Sequence, residues 1–114
     1  MKEVKAIVQP FMLTKVVDAL KKIEGLPGLA VDSDVGGFGR NRAAQARYKI
    51  VEEAVEYAPK AKLEIAVSDE LTELVVETIK KNAHTGNPGG GKIFIIDVLD
   101  VVKIHTNERG ENAL

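Results

Sequence analysis

The period of the apolar residues switches from two to 3.6 and back, twice along the chain, and few folds accept that order. Val4, Ala6 and Val8 alternate with Lys5, Ile7 and Gln9, so a first strand has one strongly apolar face and stops at Pro10. Leu13, Val16, Val17, Leu20 and Ile23 then recur at helical spacing. Lys21 and Lys22 suit the negative end of that helix, and Gly25 suits its stop. Residues 29–35 read as a second strand, closed by Gly36 and Gly37. Leu63, Ile65 and Val67 alternate with Lys62, Glu64 and Ala66 in a third. Ser68 or Asp69 suits the cap of a second helix, with an apolar stripe of Leu71, Leu74, Val75, Thr78, Ile79 and Ala83. Its acids lie early (Asp69, Glu70, Glu73) and its bases late (Lys80, Lys81), which matches the helix dipole. Residues 93–98 form a fourth strand, almost continuously apolar, and Val101, Val102 and Ile104 allow a short fifth. The tail from Thr106 is polar, and 107–114 is expected to be flexible.

The order is βαβ, long connection, βαβ, within one domain spanning 1–114. Two such units build a four-stranded antiparallel sheet with both helices on one face, an α+β, ferredoxin-like βαββαβ fold. The other sheet face then has no cover within the chain. Ile93 and Ile95 point opposite to Phe94 and Ile96, so the fourth strand is apolar on both sides. The open face is expected to be buried by copies of the same chain. The long connection between strands 2 and 3 carries no clear period. Arg40, Arg42 and Arg47 come first, and Glu52, Glu53 and Glu56 follow. Connections of this length in compact domains usually carry function. Residues 41–58 are expected to form a mobile loop, with a short helix or strand extension over 50–57.

Composition removes several classes of function. The net charge is −1, from 16 basic and 17 acidic residues, which leaves no global pull toward nucleic acid or membrane. Three phenylalanines and two tyrosines, none in a basic run, make a poor base-stacking surface. Without cysteine there is no disulfide frame, thiolate zinc site or thiol nucleophile. No apolar run approaches about 20 residues, so no membrane insertion is expected, and a cytoplasmic protein is the default.

Two glycine-rich turns carry the chemistry: Gly36-Gly37-Phe38-Gly39-Arg40 and Thr85-Gly86-Asn87-Pro88-Gly89-Gly90-Gly91-Lys92. Each borders an apolar run and ends in a cation. Consecutive glycines let backbone N–H groups crowd around a phosphate whose charge a lysine or arginine neutralises. Gly86, Gly91 and Lys92 reproduce the spacing of a Walker A loop. Ile93 stands where that loop needs a magnesium-binding hydroxyl, however, and a helix precedes the turn while a strand follows it. Phosphate binding remains open; a magnesium-assisted NTPase mechanism does not follow.

The ordered motifs resemble the PII nitrogen-regulatory signal-transduction proteins over nearly the whole chain. They run from Ala6-Ile7-Val8-Gln9-Pro10-Phe11 through Gly37-Phe38-Gly39-Arg40 and Pro59-Lys60-Ala61-Lys62-Leu63-Glu64 to Thr85-Gly86 and Gly91-Lys92-Ile93-Phe94, ending near Thr106. The resemblance implies a ferredoxin-like homotrimer that binds ATP or ADP, with magnesium a possible companion, in clefts between subunits. It implies a long T-loop that docks into a membrane transporter, an efflux system or a regulatory enzyme. It implies a regulator with no catalytic residue. Carried over by position, Gly89, Gly90, Gly91 and Lys92 hold the phosphates. Gly37, Gly39 and Arg40 contact the nucleotide from the base of the loop, and Glu64 and Ala66 flank the adenine. Lys103 and His105, from the neighbouring subunit, stand where the family usually has two arginines.

The chain departs from the family pattern at instructive places. The modified tyrosine of the loop tip aligns with Glu53, which excludes uridylylation there, and Tyr48 lies elsewhere in the loop. The glutamine that organises 2-oxoglutarate is Asn41, one methylene shorter, although Lys60, the effector's salt-bridge partner in the family, is kept. Gly89-Gly90-Gly91 replaces Gly-Asp-Gly. Nucleotide binding is thus better supported than 2-oxoglutarate binding. The pattern is that of a divergent PII subgroup, with members tied to metal efflux or transport.

Two other classes compete. One is a slow ATP-hydrolysing enzyme on the same fold. The other is a CutA-like metal-tolerance trimer using His84 and His105, with Asp97, Asp100 or Glu108 as further ligands. A cation is favourable at the helix end where His84 sits, so that residue has a structural explanation. Asp32 and Asp34 share a strand face, which suits acid–base chemistry but equally a solvated strand end. The arginines Arg40, Arg42 and Arg47 suit an anionic partner or a solvated loop.

Overall fold

The computed structural model describes residues 1–37, 50–51, 54–55, 58–86 and 91–114. Gly39, Arg40, Asn41, Arg42, Arg47, Tyr48, Glu53, Gly89 and Gly90 therefore lie outside the described residues. Strand β1 is Lys2–Val8, helix α1 Leu13–Lys21 and strand β2 Ala30–Gly37. Short strands β3 (Ile50–Val51) and β4 (Ala54–Val55) follow, then β5 (Ala58–Val67), α2 (Asp69–Ala83) and β6 (Gly91–Asp97). The main sheet is antiparallel, four-stranded and ordered β2-β5-β1-β6. Both central strands bury alternate residues, Val4, Ala6 and Val8 from β1 and Ala61, Leu63, Ile65 and Val67 from β5. These pack against Val16 and Leu20 of α1 and Val75 and Ile79 of α2, so the helices share one face. The ferredoxin-like α+β arrangement follows from the period alone. Its core forms because each full burial of such a side chain contributes about 1.5–3 kcal/mol.

Several boundaries differ from the apolar pattern. Strand β5 starts at Ala58, before the alternation at Leu63, and includes Pro59. The missing N–H is tolerated because β1 pairs with β5 only as far as Ala61, so Pro59 has β2 on one side and no partner strand on the other. Of the two alternatives for 50–57, a short helix or a strand extension, the described residues take the strand, with Ile50 opposite Val55 and Val51 opposite Ala54. In α2 the buried stripe centres on Val75 and Ile79 as expected but turns toward β6. Thr72 and Val76 are buried, while Leu74 is 52% exposed. Thr72 accepts that position because its hydroxyl donates to the Ser68 carbonyl at 3.0 Å. Ser68 occupies the N-cap without a side-chain cap bond.

The C-terminal stretch differs from the apolar pattern as well. The fifth strand reduces to one antiparallel bridge, Val102 with Arg109. The tail described as flexible over 107–114 folds back in a hydrogen-bonded arm and closes in a 3-10 turn, Gly110–Ala113, that buries Ala113. Local polar groups accomplish this. Lys103 N–H donates to the Glu108 carbonyl at 2.9 Å, and Gly110 N–H to the Val101 carbonyl at 3.0 Å. Thr106 donates its hydroxyl to Glu108 at 2.9 Å. Polar composition signalled solvent, but these groups satisfy one another within a few residues.

Candidate functional site

One end of the sheet gathers the described parts of both glycine turns. There β2 ends, β5 begins, β1 ends and β6 begins: Gly37 pairs with Ala58, and Val8 lies between Ala61 and Gly91. Gly91 has φ +112°, a conformation that L side chains rarely adopt. A Cβ there would collide with the Ile7 carbonyl oxygen and lie 2.9 Å from its carbon. This close approach fixes the start of β6 on β1 and brings Lys92 opposite Ile7. At Gly37 a Cβ would meet the Lys60 stem at 2.8 Å, so the glycine leaves room for that lysine to cross the base of the long connection.

Beside Gly91 and Lys92 lies a cavity of about 700 Å³, between β6 and the end of α2. Val76, Ile93 and Ile95 contribute apolar lining, and Lys80, Lys81 and His84 contribute nitrogen donors. Of the described residues expected to bind nucleotide, only Gly91 and Lys92 line it. The contribution of Lys80, Lys81 and His84 was not assigned from sequence. Their clustering at the end of α2 was the available signal, and the helix dipole had accounted for it. Glu77 pairs with Lys80 at 3.3 Å.

Glu64 and Ala66 lie further along β5, on the sheet face away from the helices. Lys5 stands between Glu64 and Phe94 in one cross-strand row, and Asp32, Lys62, Ile7 and Lys92 form the next. Lys5 lies 5.5 Å from the Phe94 ring centre, and Lys62 pairs with Glu64 at 3.4 Å. Hydrogen bonding with Glu64, then burial, pushes the Glu3 carboxyl above the ordinary range. The same bond from Glu3, then Lys62, holds Glu64 below it. Phe94 and Ile96 are exposed on this face, as expected for a sheet covered on one side only. Asp32 accepts the Asp34 N–H at 3.0 Å across a register shift in β2, a local turn that gives these aspartates a structural role.

Lys103 and His105 are elsewhere. They sit on the arm 101–110, which emerges after β6 at the opposite end of the sheet, where Asp97 faces Lys2. The arm starts at Asp100, whose carboxylate accepts Val101 N–H at 2.9 Å, Gly110 N–H at 3.1 Å and the Arg109 guanidinium at 2.8 Å. The Arg109 bond is the main reason that its carboxyl sits below the ordinary range. Lys2 holds the Asp97 carboxyl down likewise. Of the three carboxylates named as metal ligands, Asp97 and Asp100 are thus engaged by cations and Glu108 accepts the Thr106 hydroxyl, and no group of three or more metal-ligating side chains occurs among the described residues. No helix among the described residues is long and apolar enough to cross a membrane.

The family model described as "Nitrogen regulatory protein P-II" matches residues 1–108. The nitrogen regulatory protein P-II of Azospirillum brasilense is 40% identical over 114 residues, covering 100% of both chains. The proteins of that name from Rhizobium meliloti (strain 1021), and nitrogen regulatory protein P-II 1 of Escherichia coli (strain K12), are also 40% identical over 100% of each chain. The chain belongs to the P-II family of regulatory proteins. That membership supports the regulatory reading over those as a hydrolysing enzyme or a CutA-like metal-tolerance protein.

Proposed function

We propose that the chain works as a homotrimer that binds ATP or ADP between subunits and signals through loop 41–58. Partners are a membrane transporter, an efflux system or a regulatory enzyme, the setting is the cytoplasm, and the role is regulatory, without catalysis. The observation that carries this reading is the separation of the two halves of the site. Gly91 and Lys92 are the first two of the seven residues of β6, while Lys103 and His105 follow its far end. At about 3.3 Å per residue that strand spans roughly 20 Å. A second copy is the simplest source of the missing half, and Phe94, Ile95 and Ile96, exposed along edge strand β6, supply a reason for copies to associate.

In this reading the amides of Gly89, Gly90 and Gly91 surround the phosphates and Lys92 neutralises the outer ones. Glu64 and Ala66 border the adenine, and Gly37, Gly39 and Arg40 link the nucleotide to the loop. Magnesium accompanies ATP. Asn41 and Lys60 make 2-oxoglutarate a weak effector, because Asn41 reaches one methylene less than glutamine.

Titration calorimetry with ATP, ADP and AMP tests the proposal. Lys92→Ala removes a charge-assisted contact of about 1.5–3 kcal/mol. That corresponds to roughly 10- to 100-fold weaker ATP binding. AMP, lacking the outer phosphates, is expected to lose less. Unchanged ATP affinity in a folded Lys92→Ala protein would reduce the second glycine turn to a plain turn.

A further inference from the structure

We infer that Asp100 is the positioning residue that presents Lys103 and His105 to the nucleotide; the inference rests on the reading above. The arm they occupy has little apolar anchorage in its own chain. Ile104, between the two, is 97% exposed, Leu99 just before the arm is 98% exposed, and Val102 is 46% exposed. Packing within the chain therefore does not set the direction of the arm. Hydrogen bonds at its base do, and three of them converge on one carboxylate.

Oδ1 of Asp100 accepts the N–H groups of Val101 and Gly110, the residues at which the arm departs and returns. Oδ2 accepts from Arg109, whose backbone forms the bridge with Val102. Inside this clasp Lys103 N–H bonds to the Glu108 carbonyl, and Asn107 N–H bonds to the Lys103 carbonyl at 2.8 Å. Asn107 takes φ +62°, which turns the chain back. Lys103 is thus the residue on which the inner ring of bonds closes, and Asp100 closes the outer ring. Asp100 is itself exposed and touches no buried core residue through these bonds, so it acts through the arm and not through the sheet.

The test is a double-mutant cycle read by ATP titration of the full chain. Asp100→Ala is expected to leave the thermal unfolding of the sheet within a few degrees of wild type and to weaken ATP binding several-fold. Lys103→Ala is expected to weaken it as well. The combined variant is expected to lose clearly less than the sum of the two single losses, because the clasp acts through Lys103 and His105 and one of the two contacts is already gone. Additive losses would overturn the inference, since a general structural defect adds to a lost contact. Asp100→Asn keeps an oxygen for both amides and is expected to recover most of the affinity; a loss equal to that of alanine would also overturn it. Wild-type protein that binds no ATP defeats the nucleotide reading itself. ATP binding that Lys103→Ala weakens and Asp100→Ala leaves intact defeats only the clasp.

Discussion

Glu3 and Glu64 show how one pair of like charges survives on a sheet. They sit on adjacent strands of the open face, one register step apart, with Lys5 and Lys62 beside them. The raised Glu3 and lowered Glu64 carboxyls mean that the pair favours holding one proton. For Glu3 the sign is clear. Its contribution is fully present below the ordinary glutamate value and is lost as pH rises through its raised folded value. Glu64 acts oppositely, contributing above the ordinary value and losing that contribution as pH falls through its lowered one. Glu3→Gln keeps a donor for Glu64 and removes the repulsion, so it is expected to raise Tm at pH 7 to 8 by on the order of a degree or two. Below the ordinary glutamate range the two proteins are expected to converge. Thermal melts from pH 4 to 8 check this, and parallel curves at every pH would count against a shared proton.

At the scale of elements, β6 depends on a single backbone approach. Gly91→Ala adds a methyl that the Ile7 carbonyl cannot admit and forces an alanine into a φ of +112°. The cost is expected to be about 3 kcal/mol or more in urea unfolding. Gly86→Ala, at φ +77° with open space around it, is expected to cost about 1 kcal/mol. Equal losses would show that strain, and not the collision with β1, governs the turn. Such contrasts were invisible in the sequence, where Gly86 and Gly91 are simply glycines of one turn. What was legible there was whatever obeys a period. The alternation in β1 and β5 placed their buried faces, and the Val75 and Ile79 spacing placed α2 on the sheet. The flank of α2 was not legible, because Leu74 and Val76 satisfy the helical period equally well and only the position of β6 selects between them. The arm was not legible either, because a clasp of local hydrogen bonds leaves no apolar pattern. For the site, glycine and lysine spacing marked Gly91 and Lys92, whereas the donors from α2 had an innocent electrostatic explanation.

Across the whole molecule, one fold places Lys92 and the arm of Lys103 and His105 at opposite ends of a sheet whose outer face no helix covers. If copies supply each other's missing halves, a damaged first half and a damaged second half in different chains must complement one another. Lys92→Ala removes the phosphate cation at the start of β6, and Lys103→Ala removes the arm's cation, so neither variant alone assembles an intact site. Co-refolding them in equal amounts changes the count. In a closed three-fold ring every mixed trimer contains one junction where an intact Lys92 meets an intact Lys103, so random mixing restores about a quarter of all sites. ATP titration of the mixture is expected to show that fraction binding with wild-type affinity, above a weak background. Light scattering is expected to give the mass of three chains for each variant and for the mixture. A single-chain mass at micromolar concentration would defeat the assembly. A three-chain mass without recovered sites would place Lys92 and Lys103 in separate functions.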